Sequence, residues 1–312
     1  RICSKANVSA VVKRYPVELA YALAIIDATD PSSLTPAWVL RNYPKVNNVM
    51  TFICNTPCGE CEYCQSKLDA HRGLKEFFGY DTFRLFDGEK MQQDAVEAAI
   101  RGESILTIFP TGGGKSLTFQ LPALIAGRNI HGLTVVISPL QSLMKDQVDK
   151  LRRKHISAVA IHSGMTPRQI DIALDNCVYG DTRFLYVSPE RISTEIFKAR
   201  FERMKPTLIA VDEAHCISQW GYDFRPSYLR IAEIRKLIPD TPVLALTASA
   251  TDLVAKDIMS HLGFEKPNII RSSFARPNLS YAVRHTDDKN EQLLRIINNV
   301  QGSGIVYMRS RE

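Results

Sequence analysis

Residues 105–109 form a short apolar run that leads straight into Pro110-Thr111-Gly112-Gly113-Gly114-Lys115-Ser116, and a helical pattern over residues 117–125 follows at once. Three consecutive glycines are costly inside a helix or a strand, so this segment is a turn between two regular elements. A turn of that kind lets backbone N–H groups point inward around phosphate oxygens, and the helix N-terminus behind it adds its positive dipole. Lys115 then reaches the β and γ phosphates of a nucleotide, and Ser116 offers a hydroxyl to Mg²⁺. The generic form of this loop has a further glycine where this chain has Phe109.

A second apolar run, Leu208-Ile209-Ala210-Val211, delivers Asp212-Glu213-Ala214-His215 at its C-terminal end. Parallel α/β sheets hold their ligands at that end of the strands. The two adjacent carboxylates divide the work: Asp212 holds Mg²⁺ through water, and Glu213 orients and deprotonates an attacking water.

The rest of the chain supports the sheet that these two sites need. Strands are expected over 105–109, 133–138, 158–161, 184–187, 208–212, 243–246 and 269–271, and helices over 117–125, 140–153, 168–177, 226–238 and 253–262. This alternation produces an α/β fold, a parallel sheet with helices on both faces. Residues 1–75 break the pattern with five prolines and a cysteine cluster and read as a separate appendage. Residues 76–275 form the nucleotide-binding lobe, and 276–312 begin a second lobe with a helix over 289–300 and a strand over 304–307. The chain starts at Arg1 and stops inside that lobe, so it reads as part of a longer polypeptide. The richest apolar run, 17–26, contains Glu18 and is too short to span a membrane. Lys plus Arg number 39 against 33 Asp plus Glu, a formal charge of +6 that suits a phosphate-rich partner.

With both sites in view, residues 74–311 resemble the RecQ family of superfamily 2 DEAH-type helicases. Residues 111–116 look like motif I, Asp212 to His215 like motif II, and Thr247-Ala248-Ser249-Ala250-Thr251 like motif III. Residues 136–147 and 186–191 are similar to motifs Ia and Ib, and Ser273-Phe274-Ala275-Arg276-Pro277-Asn278-Leu279 to the lobe junction. The stretch Cys216-Ile217-Ser218-Gln219-Trp220-Gly221-Tyr222-Asp223-Phe224-Arg225-Pro226 resembles the aromatic-rich loop that couples DNA binding to hydrolysis. The resemblance implies a RecA-like P-loop lobe, ATP and Mg²⁺ as cofactors, 3′ to 5′ movement on single-stranded or branched DNA, and a cytoplasmic, DNA-associated protein. It implies catalytic roles for Lys115, Asp212, Glu213 and His215, and it places His215 between nucleotide and aromatic loop. Motifs V and VI, with the arginine that stabilises transition-state charge, are expected beyond Glu312. This piece alone is therefore expected to bind ATP and turn it over feebly.

Residues 78–84, Phe78 to Arg84, resemble motif 0, in which Phe83 and Arg84 lie beside the nucleotide. The glutamine expected three residues after the arginine is displaced; counting back from Thr111 selects Gln92 over Gln93 and implies about five inserted residues. Gripping a single strand without regard to sequence calls for phosphate contacts and aromatic faces, which Gln219, Trp220, Tyr222, Phe224 and Arg225 supply. The basic end of the 140–153 helix is expected to complement the helix dipole.

Four of the seven cysteines crowd together as Cys54-x3-Cys58-x2-Cys61-x2-Cys64, which points to a reducing compartment and a metal. The set suits a tetrahedral Zn²⁺, with an iron–sulfur cluster as the alternative, and its tight spacing leaves room for His71 or Cys3 to replace Cys54. No protein partner is legible, and two other functions stay open: a nucleic-acid-binding scaffold with a vestigial motor, and an RNA-directed helicase.

Overall fold

The computed structural model describes residues 8–28, 35–55, 58, 60–128, 132–221, 223–273 and 279–307. Cys3, Tyr222 and most of the 273–279 junction lie outside the described residues. Backbone contacts divide the chain into two units, Arg1–Ser273 and Phe274–Glu312.

In chain order the helices of the first unit are α1 (Val8–Arg14), α2 (Pro16–Ala28), α3 (Ala37–Asn42), α4 (Val46–Asn55), α5 (Glu62–Lys67), α6 (Ala70–Phe78), α7 (Met91–Ile100), α8 (Lys115–Ala126), α9 (Gln141–Arg153), α10 (Pro167–Tyr179), α11 (Glu195–Met204), α12 (Leu229–Arg235) and α13 (Asp252–His261). The strands are β1 (Ile105–Ile108), β2 (Thr134–Ile137), β3 (Ala158–Ile161), β4 (Phe184–Val187), β5 (Leu208–Val211), β6 (Val243–Thr247) and β7 (Ile269–Arg271). They form one parallel sheet in the order β3-β4-β2-β5-β6-β1-β7.

The inner strands are almost wholly apolar because both faces are covered, the buried Thr107, Thr134 and Thr247 apart, and alternate residues feed two cores. Leu106, Ile108, Val135 and Ile137 join one cluster, while Ile105 and Val136 join the other. This order sets up the site. β6 lies between β1 and β5, so the loop after β1 and the carboxylates after β5 are two strand spacings apart, roughly 10 Å.

The expected strands are all present in this unit, with ends shifted by a residue where a loop residue leaves the ladder. The expected helix over 226–238 is instead a 3₁₀ turn at Pro226–Tyr228 followed by α12, with Pro226 at the first position of the turn.

Among the described residues up to Phe78, the regular structure is all helical. α1 to α4 build their own core around Leu19, Ala22, Val46, Met50 and Ile53. α5 and α6 instead pack on the lobe, where Cys64, Leu68 and Leu74 share a cluster with Phe83, Val96, Leu121 and Ile125. α6 approaches α8 so closely that a Cβ on Gly73 would stand 2.7 Å from Ile125 Cδ1. Polar ties reinforce the seam: Asn55 Nδ2 donates to Ala126 O at 3.0 Å, and Arg128 donates to Lys67 O at 3.2 Å and pairs with Glu76 at 2.6 Å.

The second unit contains α14 (Lys289–Asn299), capped by the Asp288 carboxylate, which accepts from the Asn290 and Glu291 amides at 2.9 Å each. The strand expected over 304–307 does not form among the described residues. A strand exists through its ladder, and the described part of this unit offers it no neighbour. Among the described residues no helix is long and apolar enough to cross a membrane.

Candidate functional site

The phosphate loop follows β1, and α8 begins at Lys115. Gly112 and Gly114 have φ of +77° and +76°, in the left-handed region that side chains avoid. Gly113 admits no side chain for another reason: its Cβ would lie 2.8 Å from Pro110 O. A Cβ on Gly114 would lie 2.5 Å from Gln92 Nε2. The glycines thus leave a bare backbone cradle at a helix N-terminus, which fits a polyphosphate.

Asp212 leaves β5 with its carboxylate held on two sides, accepting from Ser138 Oγ at 3.3 Å and from the Glu213 amide at 3.0 Å. Its carbonyl accepts from Tyr228 Oη at 2.9 Å. Burial raises the Asp212 pKa and the Glu213 charge adds to that, against the Glu213 amide, Lys115 and Ser138, which favour the anion. Glu213 itself sits at φ +48°, a strained conformation for a non-glycine residue, which turns its side chain back toward His215.

His215 Nδ1 lies 2.9 Å from Thr247 Oγ1 at the end of β6 and 3.3 Å from Glu213 Oε2. Thr247 gives its own proton to Ser249 O at 3.0 Å, so Nδ1 carries the imidazole proton and donates to Thr247. Burial lowers the His215 pKa and keeps the ring neutral, although Asp223 pulls the other way. On the far side, His215 Nε2 faces Cys216 Sγ at 3.7 Å, Cys216 donates to Asp223 Oδ2 at 3.6 Å, and Arg225 binds the same carboxylate at 2.9 Å. Burial pushes the Cys216 thiol up to about 12, so it stays protonated.

Of the aromatic loop, Trp220 is 69% exposed and so is not a core residue; Gln219 is exposed, and Phe224 and Arg225 are half-buried. A chain of contacts therefore runs from Thr247 through His215, Cys216 and Asp223 to Arg225, hydrogen-bonded at each step except the 3.7 Å approach of Nε2 to Sγ, where the thiol proton is already given to Asp223.

The segment between Arg84 and Gln92, where the resemblance implied about five inserted residues, has a simple form. Phe86 and Glu89 pair in a two-residue hairpin, with Phe86 N to Glu89 O at 3.0 Å and Glu89 N to Phe86 O at 2.8 Å. Asp87 and Gly88 occupy its tip at positive φ, the usual chemistry of such a turn. The hairpin returns the chain so that Gln92 Oε1 accepts from the Arg84 amide at 2.9 Å, while Gln92 Nε2 donates to Gly114 O at 3.1 Å and Arg84 Nη1 to Gly112 O at 2.5 Å. Gln93 turns away and donates to Glu97 at 2.7 Å. Phe83 is buried behind Arg84. Phe86 stacks on Phe109 at 4.7 Å, so the aromatic ring that replaces the generic glycine packs against the insertion.

Two residues were missed by sequence reasoning. Tyr80, 56% exposed, lines a cavity of about 800 Å³ with Arg84, Gln92, Gly114 and Ser116; its place three residues before Phe83 in the motif 0 stretch was the available signal. Gln147 in α9 donates to Ser116 Oγ at 3.3 Å and accepts from Tyr186 Oη at 3.0 Å and Gln120 Nε2 at 3.3 Å. Gln147 closes the stretch that resembles motif Ia, which was the available signal, but its partner Ser116 lies 31 residues away in the chain.

Among the cysteines, the structure brings Cys58, Cys61 and Cys64 together, with sulfurs all within 4.8 Å of one another. Zn–S bonds of about 2.3 Å in a tetrahedron put sulfurs about 3.8 Å apart, so the set fits that ion. The Cys58 and Cys64 amides point at the sulfurs of Cys64 and Cys61, at 3.3 and 3.4 Å, as amides do around thiolates. Cys54 stands outside this group: it belongs to the last turn of α4 and its apolar core, where burial pushes its thiol up to about 11. His71 packs edge-on against Phe83.

Residues 89–258 match the family model described as DEAD/DEAH box helicase. The chain is 42% identical over 239 residues to the ATP-dependent DNA helicase RecQ of Haemophilus influenzae, covering 76% of this chain and 37% of that protein. It is 40% identical over 241 residues to the ATP-dependent DNA helicase RecQ of Bacillus subtilis, covering 77% and 39%. The chain thus spans less than half the length of these relatives. Among solved structures, the DUF1998 helicase MrfA shares the fold at 20% identity, with a TM-score of 0.55 over 78% of this chain and 38% of that one. The chain belongs to the DEAD/DEAH box helicase family, and within it to the RecQ family.

Proposed function

We propose that this chain binds and hydrolyses ATP for a DNA helicase of the RecQ type that moves 3′ to 5′ along single-stranded DNA and opens duplexes. The observation that carries this reading is the shared edge of β1, β6 and β5, where the phosphate loop, Thr247 and the Asp212-Glu213 pair meet and His215 links them to the aromatic loop. Residues 1–75 are then the appendage, 76–275 the first motor lobe and 276–312 the start of the second.

The amides of residues 112–116 and Lys115 hold the triphosphate, while Tyr80, Arg84 and Gln92 take the base. Ser116 and Asp212 hold magnesium, and the oxygen-only donor set of Ser116, Ser138 and Asp212 suits that hard cation. Magnesium, when bound, neutralises charge on the β and γ phosphates. Glu213 accepts the proton of the attacking water, and neutral His215, 3.3 Å away, fixes the direction of its carboxylate. Trp220 gives a base a stacking face, and Gln219, Phe224 and Arg225 complete that contact. Arg225 pairs with Asp223 at 2.9 Å, so a phosphate that draws Arg225 away alters the partners of Cys216 and His215. Zn²⁺ at Cys58, Cys61 and Cys64 secures the α5 corner, with His71 or Cys3 as the fourth ligand.

The test is ATP hydrolysis by the full-length protein alone, with single-stranded DNA and with RNA, beside a Glu213→Gln control. Stimulation by DNA that disappears in the control is expected. Stimulation by RNA alone would reassign the polymer, and none by either would overturn the reading.

A further inference from the structure

At the end of the sheet opposite the nucleotide loop, before the N-termini of β4 and β5, the helical appendage meets α10 and α11 around a cavity of about 540 Å³. Arg41 from α3, and Arg203 and Lys205 from the end of α11, line it, and Glu202 is its one carboxylate. Lys205 takes φ +44° and reaches across to donate to Pro44 O at 2.6 Å, which brings it beside Lys45. Burial lowers the Lys205 pKa, and the Lys45 charge lowers it further. Lys45 and Arg14 both lie over the Tyr15 ring, at 5.5 and 5.3 Å. Arg14, Arg41, Lys45, Arg203 and Lys205 thus crowd one surface, and among the described residues none of them makes an ion pair. Nearby Arg200, in contrast, is matched by Asp171 and Asp175. Cations at helix ends complement helix dipoles, but that does not require two lysines to be pressed together.

Aromatic faces are interleaved with these charges. Trp38 is 56% exposed and shares a helix face with Arg41 three residues on; Tyr179 is 42% exposed and lies 5.9 Å under the Arg41 guanidinium. Tyr21 buttresses Trp38 edge-on at 5.8 Å, holding the indole out. Unpaired cations beside supported, exposed rings are the combination that grips single-stranded nucleic acid: the charges track phosphates and the rings stack on bases.

We infer that this surface, formed by Arg41, Lys45, Arg203 and Lys205 with Trp38 and Tyr179, is a second single-stranded DNA site, separate from the aromatic loop. It lies before the N-terminal ends of β4 and β5, whereas Asp212 and Trp220 follow the C-terminal end of β5. A four-residue strand alone separates them by about 13 Å. The site binds without nucleotide, and it holds a strand or a portion of a strand that the motor face does not. The inference does not depend on the hydrolysis reading.

The test measures the affinity of the full-length protein for oligo(dT) without nucleotide between 0.1 and 1 M salt (about a tenfold range) for the wild type and for Arg41→Gln/Lys45→Gln/Arg203→Gln. Each lost phosphate contact lowers the slope of log K against log salt by about 0.7, so the triple variant is expected to lose about 2 from the slope, or roughly 100-fold in affinity at the low-salt end. DNA-saturated ATP hydrolysis should remain near wild type. Trp38→Ala, which leaves the charges in place, is expected to weaken oligo(dT) about tenfold or more with an unchanged slope. Cross-linking of 5-iodo-deoxyuridine oligonucleotides to Trp38 or Tyr179 supports the site by a route that survives poor folding of the triple variant. An unchanged slope in a folded triple variant overturns the inference. So does competition by inorganic polyphosphate combined with indifference to Trp38→Ala, which would mark a site for free polyanions.

Discussion

Gln147→Leu separates a structural role from a positioning role, because Gln147 serves both the core and the nucleotide loop. Tyr186 is 1% exposed and gives its proton to Gln147 Oε1 at 3.0 Å. Leucine leaves that hydroxyl without its acceptor, a loss of about 1–3 kcal/mol for a buried donor. Gln120 Nε2 still has the Tyr186 oxygen at 3.3 Å, so it adds little. Tyr186→Phe alone should cost about 1 kcal/mol, since the Gln147–Gln120 bond survives. In the double variant the orphaned hydroxyl is gone, so its loss should not exceed that of Gln147→Leu alone, giving a coupling of about 1 kcal/mol in magnitude. Urea unfolding of the four proteins without nucleotide measures this. The same substitution removes the donor at 3.3 Å from Ser116 Oγ, so the KM for magnesium-ATP should rise several-fold while kcat changes little. Gln147→Glu, which keeps the acceptor for Tyr186 but loses the donor to Ser116, should recover stability and not KM. Additivity within about 0.5 kcal/mol, or recovery of both properties together, would refute the reasoning.

Asp212→Asn should abolish hydrolysis and yet stabilise the protein without nucleotide or magnesium. The Asp212 pKa is raised in the fold, so the native chain keeps a proton that the unfolded chain has released, and stability falls as pH rises through that window. The variant's gain in Tm should be largest near pH 8 and should shrink as pH is lowered toward about 4, as calorimetry would record. For His215 the sign reverses: its pKa is lowered, so stability falls with acidification below about 6.5, and His215→Gln should flatten that limb of the pH–stability profile. Gly114→Ala forces positive φ on a side chain and drives a Cβ into Gln92, so fluorescent-nucleotide titration should show at least about a tenfold loss of affinity, from 1–2 kcal/mol of strain plus a lost hydrogen bond. Cys61→Ala should release bound zinc, as metal analysis would show, and Cys54→Ala should retain it.

Much of the site was legible because its chemistry is local. Gly112 to Ser116 and Asp212 to His215 are contiguous runs, each attached to an apolar strand, and a run of glycines before a lysine constrains its backbone wherever it occurs. The strands were legible for the same reason, since burial on both faces leaves the inner ones mostly aliphatic, with buried threonines such as Thr107 and Thr134 the small exceptions. The helical appendage and the inserted hairpin were less so. α1 to α4 are short and punctuated by prolines, and Asp87-Gly88 closes a turn between strands of a single bridging pair, too short for any alternation to show.

The amino-acid order alone therefore decided which backbone segments bind phosphate and which carboxylates accompany them, through glycine φ and strand-end placement. Tertiary structure decided the partners. β6 comes between β1 and β5 only in the folded sheet, and that order gives His215 its Thr247. The hairpin swings Gln92, not Gln93, onto the phosphate loop, and α4 withdraws Cys54 from the other three thiols. Gln147 meets Ser116, and Lys205 meets Lys45, across 31 and 160 residues of chain. Such contacts follow from how helices pack on a sheet, a balance summed over the whole core that no local stretch of sequence contains.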